Sequence, residues 1–280
     1  MKILVTGAKG MLGQDLCPIL EDEGYEVIET DIHNLDITNL DQVESVLSDI
    51  KPSIVIHCAA YTNVDKAEED IDTARLLNSK GTENIAKACS EIDALMVYIS
   101  TDYVFDGNGS EPYLPSAKAA PLNNYGLTKW EGEEAVRKFC SKYYITRTSW
   151  LYGIHGKNFV ETMLSLKDKE ELKVVNDQIG CPTWTVELAN GIAELIDEKA
   201  DYGTYHICGS GQTSWYEFAK EIFEQEGLNV NLKPCSTEEF PRPAKRPKYS
   251  VMNNNSICRN WKSALKDYLA LREIKDEVTV

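Results

Sequence analysis

The stretch TGAKGMLG at residues 6–13 places three glycines between a strand-like segment and a helix-like segment. KILVT at residues 2–6 has the short apolar pattern of a buried strand, and MLGQDLCPILED has the apolar spacing of a helix. Gly7, Gly10 and Gly13 leave bare backbone at this junction, so an anion can approach the free N–H groups of the helix N-terminus. The junction therefore predicts a phosphate-binding turn.

Strand-like and helix-like segments alternate through the first half of the chain. The predicted strands lie at residues 2–6, 26–30, 53–57, 94–100 and 143–148. This alternation predicts an α/β protein with a Rossmann-type, doubly wound parallel sheet covered by helices on both faces. We expect this domain at residues 1–150, with a returning strand–helix segment at about 172–200. Residues 151–280 are expected to form a smaller α/β region that binds the substrate.

Composition and charge exclude several classes of partner. The 280 residues carry a formal net charge of −16, which disfavours nucleic acid and anionic membranes as partners. No segment approaches the roughly 20 apolar residues of a membrane span, and the apolar run at the chain start is too short for a signal segment. The eight cysteines are scattered without a C-x-x-C motif, so neither zinc nor a disulfide scaffold is indicated. We expect a cytoplasmic protein with a small-molecule partner.

An acidic residue directly after the second strand supports a dinucleotide site. Asp31 follows EVIET, where a carboxylate can accept hydrogen bonds from ribose hydroxyls. Asp36 and Ile37 in LDIT are expected near the adenine, although Asp36 could instead cap the following helix. The small residues Ala59 and Ala60 end the third strand where a cofactor would cross the sheet edge, and close helix packing is the alternative explanation.

Tyr125 and Lys129 in NNYGLTKWEGEE lie four residues apart, on one face of a predicted helix. A nearby ammonium favours the anion of a phenol, whose reference pKa is about 10. Thr101, at the end of the fourth strand, could hydrogen-bond to the same substrate oxygen. The similar pair of Tyr216 and Lys220 has a capping box but no preceding strand-end hydroxyl, so we interpret it as structural.

Several motifs together resemble one family along nearly the whole chain. They are TGAKGMLG, CAAYTNVDKAE, STDYVFDG, YGLTKWEGE, RTSWLYG, NDQIGCPT and PAKRPKYS. They are similar to motifs of the extended short-chain dehydrogenases/reductases and, within them, of the dTDP-4-dehydrorhamnose reductase family. The resemblance implies an NAD(P)H-dependent reductase acting on the C4 ketone of dTDP-4-dehydro-L-rhamnose.

The resemblance also implies roles for individual residues. The pyrophosphate contacts fall on Gly7, Gly10, Met11, Leu12 and Gly13. The adenosine contacts fall on Asp31, Asp36 and Ile37, and the middle of the cofactor follows Ala59, Ala60, Tyr61 and Thr62. The catalytic triad falls on Thr101, Tyr125 and Lys129, the last two also contacting the cofactor. The substrate contacts fall on Thr101, Asp102, Tyr103, Trp150 and Arg246. Trp150 could instead belong to the core, and Arg246 could instead lie in a solvated loop.

The sequence also bears on the preferred cofactor, on a metal site and on assembly. Asp31 predicts a modest preference for NADH, with NADPH also accepted. By the resemblance, Asp15 and Glu187 match two carboxylate positions of a magnesium site, and no third ligand is identified. The family's acidic residues are missing from YLPSAKAAP at residues 113–121. A homodimer is left open.

Three other functions compete with the reductase. A non-catalytic NAD(P)-binding subunit resembling the methionine adenosyltransferase beta subunit is disfavoured by the complete triad, and a reductase of another sugar nucleotide stays open. A sugar-nucleotide dehydratase would carry a glutamate where this chain has Tyr103, so we set it aside.

Overall fold

The computed structural model describes residues 1–255 and 257–278, which form an α/β fold around a parallel sheet. The described strands are β1 (Lys2–Thr6), β2 (Glu26–Thr30), β3 (Ile54–His57), β4 (Leu95–Thr101), β5 (Tyr143–Thr148), β6 (Leu151–Tyr152), β7 (Leu172–Val175), β8 (Ile179–Gly180), β9 (Thr183–Trp184), β10 (Gly203–His206), β11 (Thr213–Ser214) and β12 (Leu232–Cys235). The described helices are α1 (Met11–Asp22), α2 (Leu40–Ile50), α3 (Lys66–Glu69), α4 (Ile71–Arg75), α5 (Thr82–Glu91), α6 (Asn124–Phe139), α7 (Phe159–Ser165), α8 (Thr185–Asp197), α9 (Trp215–Gln225) and α10 (Trp261–Val278).

Six of these strands form the central sheet in the order β10-β5-β4-β3-β1-β2. All neighbouring pairs in this sheet are parallel. The direction of winding reverses between β1 and β3, which creates a crevice at the carboxyl ends of these strands, where ligands bind in doubly wound sheets. The predicted fold class is confirmed, and its first five strands agree with the predicted segments to within one residue at each end.

Helices cover both faces of the sheet. Because neighbouring residues of a strand point to opposite faces, each strand contributes side chains to both buried layers. Ile3 and Val5 of β1 belong to one hydrophobic cluster, together with α1 and α8. Leu4 belongs to a second cluster, with α2, α5 and α6. The nearly continuous apolar sequence of the strands therefore reflects burial on both sides.

The second half of the chain returns to the sheet once. Helix α8 packs beside α1 in the first cluster, and β10 then extends the sheet next to β5. Strand β7, which begins the predicted returning segment of 172–200, pairs instead with β12 outside the central sheet. Helices α7, α9 and α10 form a separate cluster around that small sheet. The division at residue 150 stays a prediction.

The helical segment between β3 and β4 is broken into several pieces. Asp70 ends α3 and caps α4, its side chain accepting a hydrogen bond from Thr73 N at 3.1 Å. A π-helical turn, Leu76–Gly81, then precedes α5. This turn directs the fully buried Asn78 toward the end of β3. Among the described helices, none combines the length and apolar composition needed to cross a membrane.

A buried charge cluster fixes helix α6 on the sheet. The Glu133 carboxylate accepts hydrogen bonds from Arg147 Nε at 2.8 Å and Nη2 at 2.7 Å. Ser100 Oγ donates to the same carboxylate at 2.6 Å. Glu133 is fully buried and Arg147 is 1% exposed, so water cannot replace either partner. Helix α6 is therefore tied to both β4 and β5.

We predict that Glu133→Ala lowers the free energy of unfolding by about 3–5 kcal/mol, because it leaves the buried Arg147 unpaired. Glu131→Ala on the same helix is the control, since its ion pair with Arg75 lies at the surface and should be worth less than about 1 kcal/mol. Urea denaturation of both variants measures the difference. Equal losses would contradict the role assigned to the buried cluster.

Candidate active site

The glycine turn after β1 has the shape needed to hold a diphosphate. Gly7 has a φ of +65°, and a Cβ on it would lie 2.7 Å from the Ala59 nitrogen at the end of β3. A Cβ on Gly13 would lie 2.5 Å from Ala8, so this glycine allows α1 to pack closely against the turn. Gly10 is the N-cap of α1 and provides no capping side chain. The helix N-terminus therefore fits the pyrophosphate of a dinucleotide.

The next two residues of the turn take different positions. Met11 is half-buried and lies near Gly153, whereas Leu12 is 7% exposed and belongs to the core between α1 and the sheet. Any contact that Leu12 makes with a ligand is therefore made by its backbone.

Asp31 lies directly beside the glycine turn. Its carboxylate accepts hydrogen bonds from the backbone N–H of Lys9 at 3.2 Å and of Ile32 at 2.8 Å. Its own N–H donates to Asn34 Oδ1 at 2.6 Å. These bonds hold the carboxylate at the position where the adenosine ribose of a dinucleotide is expected.

The segment around Asp36 and Ile37 is ordered by local hydrogen bonds. Asp36 Oδ1 accepts from both the N–H and the hydroxyl of Thr38, at 2.9 and 2.7 Å. Helix α2 is capped by Asn39 instead, so the interpretation of Asp36 as its cap is wrong. Ile37 is 3% exposed, and a Cβ on Gly81 would lie 2.7 Å from its Cδ1. The side chain of Ile37 lies toward the core, and its contact with adenosine stays a prediction.

The backbone after β3 is held by a residue that the sequence did not indicate. Asn78 Oδ1 accepts from the Tyr61 N–H at 2.8 Å, and Asn78 Nδ2 donates to the Tyr61 carbonyl at 3.0 Å. The same amide donates to Thr128 Oγ1 on α6 at 3.1 Å. Ala60 before this clamp is half-buried and Thr62 after it is exposed. No local pattern marks Asn78, because its partners are distant in sequence.

Thr101 and Tyr125 meet at the carboxyl end of β4. The Thr101 hydroxyl donates to Asp102 Oδ1 at 3.1 Å and accepts from the Tyr103 N–H at 3.2 Å. Asn123 caps α6, its Oδ1 accepting from the Gly126 N–H at 2.8 Å, which fixes the first turn containing Tyr125. The Thr101 hydroxyl lies close enough to the Tyr125 phenol to oppose the rise in the Tyr125 pKa that burial causes.

Burial controls the ionisation of the triad. It raises the pKa of Tyr125 to about 12, and the charge of Asp102 acts in the same direction. Burial lowers the pKa of Lys129 to about 7, whereas Glu133 favours its charged form. Lys129 Nζ lies 4.2 Å from the centre of the Tyr98 ring. Lys129 is not among the groups that shift the pKa of Tyr125 here, so its predicted tuning of the phenol stays a prediction.

Asp102 is a buried carboxyl beside this pair. It is 1% exposed, and burial raises its pKa to about 6. Hydrogen bonds from Ser250 and Thr101 act in the opposite direction. Asp102 therefore gains protons more readily than an exposed aspartate as the pH falls.

Tyr103 and Arg246, predicted substrate residues from opposite halves of the chain, lie in contact near Tyr125. The Tyr103 ring packs edge-on against the Tyr125 ring, with centroids 5.6 Å apart. Burial lowers the pKa of Arg246, whereas its ion-pair partner Asp65 and the nearby Tyr103 phenol raise it. Arg246 also donates to the Ala244 carbonyl at 2.7 Å. The side chain is thus held by protein contacts. The alternative interpretation of Arg246 as a freely solvated loop residue is therefore wrong.

A cleft of about 580 Å³ opens beside Arg246. Basic side chains line it, namely Arg242, Lys245, Arg246 and Lys248. Asn123 Nδ2 donates to the Lys245 carbonyl at 2.8 Å, so the cap of α6 also holds this loop. The cleft therefore offers an anionic ligand several cations next to the triad.

Trp150 lies at the junction of β5 and β6. Its φ is +49°, and its ring stacks on Trp215 with a centroid separation of 3.5 Å and an angle of 7°. The side chain is half-buried and packs on the cluster that contains α9. Trp150 thus contributes to the core without being fully covered, and its substrate contact stays a prediction.

The second tyrosine–lysine pair lies on α9. Ser214 caps this helix by accepting from the Glu217 N–H at 3.1 Å. Tyr216 packs on the hydrophobic cluster, and Lys220 forms a surface ion pair with Glu224 at 3.7 Å. The pair thus has structural contacts, as its sequence context indicated.

The proposed carboxylate ligands of magnesium have other partners. Asp15 accepts a hydrogen bond from Thr185 and lies 3.4 Å from His155 Nε2. Glu187 pairs with Arg259 at 2.7 Å. Within residues 1–255 and 257–278, no three metal-ligating side chains of the His, Cys, Asp or Glu type come together. The arrangement does not support a magnesium site.

The diphosphate turn, the ribose-side acid and the buried Tyr–Lys pair are those of an extended short-chain dehydrogenase/reductase, an oxidoreductase that binds a nicotinamide nucleotide. Comparison with known proteins narrows this class. The family model described as the RmlD substrate binding domain matches residues 1–277. The chain belongs to this family, and several of its relatives carry the name dTDP-4-dehydrorhamnose reductase.

Three relatives show the extent of the match. The crystal structure of a dTDP-4-dehydrorhamnose reductase from Clostridium acetobutylicum is 50% identical with a TM-score of 0.95, covering 98% of this chain and 100% of that one. The Bacillus anthracis enzyme, solved in complex with NADP, is 45% identical with a TM-score of 0.93, covering 96% and 99%. The Escherichia coli K12 dTDP-4-dehydrorhamnose reductase is 40% identical, covering 96% and 94%. These matches favour the enzyme over a non-catalytic subunit.

We predict that Gly7→Ala weakens NADH binding at least tenfold, because the new Cβ collides with the end of β3 and displaces the turn. Gly24→Ala is the control, since Gly24 also has a positive φ, of +84°, but faces open space. Both changes should cost roughly 1 kcal/mol of stability through backbone strain. Fluorescence titration with NADH measures the affinity of both variants. Equal affinities would contradict the role of the glycine turn in binding the dinucleotide.

Proposed function

We propose that the protein reduces the C4 ketone of dTDP-4-dehydro-L-rhamnose with NAD(P)H to give dTDP-L-rhamnose, a precursor of cell-surface polysaccharide. The observation that carries this proposal is that Thr101 and Tyr125 lie together at the carboxyl end of β4, with Lys129 one turn further along α6 and with Arg246 of the basic cleft nearby. Mixing the protein with NADH and this ketone, and following the loss of nicotinamide absorbance, tests it. A protein that turns over no sugar nucleotide would contradict it.

Tyr125 is the proton donor in this proposal. The reduced nicotinamide, when bound, supplies the hydride for the ketone carbon. A pKa of about 12 keeps the Tyr125 phenol protonated at neutral pH. The oxygen of the reduced carbon becomes more basic than a phenolate, so the proton moves from Tyr125 to that oxygen.

Lys129 and Thr101 support this proton transfer. Lys129 lies one helical turn after Tyr125, and its ammonium stabilises the phenolate left behind. Contact with the Tyr98 ring holds the ammonium, and Glu133 favours its charge. The Thr101 hydroxyl, which lies near the Tyr125 phenol, orients the ketone oxygen next to the donor.

The basic cleft is proposed to hold the nucleotide diphosphate. Arg242 and Arg246 can meet phosphate oxygens with charge-assisted hydrogen bonds. Tyr103 lies between Arg246 and Tyr125, at the place where the sugar must bridge the diphosphate and the proton donor. Trp150 is proposed to contact the same sugar.

We predict that Tyr125→Phe lowers kcat by on the order of a hundredfold or more and leaves NADH affinity unchanged, because only the proton donor is lost. Tyr216→Phe is the matched control and should retain nearly full activity. Steady-state assays and NADH titrations of both folded variants check this. Equal losses of activity would refute the assignment of the catalytic pair.

We predict a modest preference for NADH over NADPH, because the fixed Asp31 carboxylate would lie beside the 2′-phosphate of NADPH. Like charges about 4 Å apart repel by roughly 1 kcal/mol in water and roughly 4 kcal/mol at a dielectric of 20. Asp31→Ala should narrow the preference. Ratios of kcat/KM for both nucleotides decide, and a wild-type preference for NADPH would overturn the argument.

A further inference from the structure

The ring of Trp150 is held in place by two neighbours. One face stacks on Trp215 almost in parallel. A Cβ on Gly180 would lie 2.5 Å from the indole, so this position accepts no larger residue without moving Trp150. A positive φ is an unfavourable backbone conformation for a tryptophan, and it persists only where the surrounding structure holds the residue. The orientation of Trp150 therefore depends on Trp215 and on the glycine opposite.

Trp215 is itself fixed by several contacts. It is the first residue of α9, whose cap Ser214 also donates to Asn176 Oδ1 at 2.6 Å. Phe159 packs on its ring with a centroid distance of 4.6 Å. Its indole Nε1 donates to Gln178 Oε1 at 3.2 Å. The stack on Trp150 thus continues into a hydrogen bond with Gln178.

Gln178 continues this connection to the basic cleft. It is 7% exposed, and its Nε2 donates to Thr237 Oγ1 at 2.9 Å. The Thr237 hydroxyl donates to Asp177 Oδ1 at 2.6 Å, and the Thr237 N–H donates to the same carboxylate. Gln178 and Thr237 line the cleft together with Arg242. Thr237 also begins the loop that leads to this arginine.

We propose that Trp215 and Gln178 are positioning residues that connect the two ends of the substrate site, an inference that rests on the proposed reductase function. Trp215 sets the ring of Trp150 for the sugar. Gln178 sets the loop that carries Arg242 for the diphosphate. Because Gln178 accepts from one element and donates to the other, a single amide fixes the spacing between the sugar contact and the phosphate contacts.

The two residues should differ in their kinetic effects. Trp215→Leu removes the stacking surface, so the sugar loses its orientation and both KM and kcat suffer, each by about fivefold or more. Trp215→Phe restores a ring and should recover most of kcat. Gln178→Met keeps the side-chain length but removes both hydrogen bonds, so it should raise KM and weaken dTDP binding about tenfold with kcat within about twofold.

The test uses the full chain and a matched control. Tyr216→Leu changes the neighbour of Trp215 on α9, which packs on the same cluster. Thermal unfolding confirms folding, and NADH affinity should be unchanged in every variant. Calorimetry with dTDP and steady-state assays with the sugar nucleotide then give affinity, KM and kcat. If Trp215→Leu fails to fold, Gln178→Met still decides.

Each outcome has one interpretation. Loss of dTDP affinity in Gln178→Met, with unchanged NADH affinity and a normal control, supports the proposal. A Gln178→Met or folded Trp215→Leu variant that behaves like Tyr216→Leu, or that loses NADH and dTDP affinity equally, overturns it while the reductase function stands. Wild-type protein that binds no dTDP and reduces no sugar nucleotide overturns the proposed function and this inference together.

Discussion

The buried carboxylate of Glu133 determines where the catalytic helix lies. It binds Arg147 on β5 and Ser100 on β4, so α6 can dock in only one register without leaving a buried charge unpaired. Ser100 directly precedes Thr101, and Glu133 follows Lys129 by one helical turn. The same carboxylate therefore sets the geometry of the triad and favours the charge of Lys129. The position of α6 and the charge of Lys129 therefore both depend on this buried cluster.

The cap of the catalytic helix joins the two halves of the chain. Asn123 uses its oxygen for the Gly126 N–H and its amide nitrogen for the Lys245 carbonyl. Asp65, from the first half, pairs with Arg246 in the same loop. The basic cleft is consequently placed at the end of the helix that carries Tyr125. One asparagine therefore fixes both the loop beside the cleft and the helical turn that contains Tyr125.

Local patterns in the sequence predicted the elements that depend on local spacing. The five strands, the glycine turn and the helical spacing of Tyr125 and Lys129 are of this kind. The pairing of β7 with β12 was not predicted, because a short alternating strand carries no information about its partner. Asp65 and Trp215 were missed for the same reason: Asp65 meets Arg246 across 181 positions of the chain. The stack of Trp215 on Trp150 likewise joins α9 to the end of β5.

A net charge of −16 is compatible with the proposed anionic ligands, because the electrostatic effect of an exposed charge is confined to its surroundings. At physiological ionic strength, exposed charges are screened beyond about 8 Å. Acidic residues on distant surfaces therefore contribute little in the cleft, whose lining has four basic side chains and two acidic ones, Asp106 and Glu238. A nucleic acid would have to lie across the acidic surface as well, releasing few counterions. In the proposed function a nucleotide sugar needs only the cleft, so a charge distribution that disfavours a polyanion is compatible with a small anion.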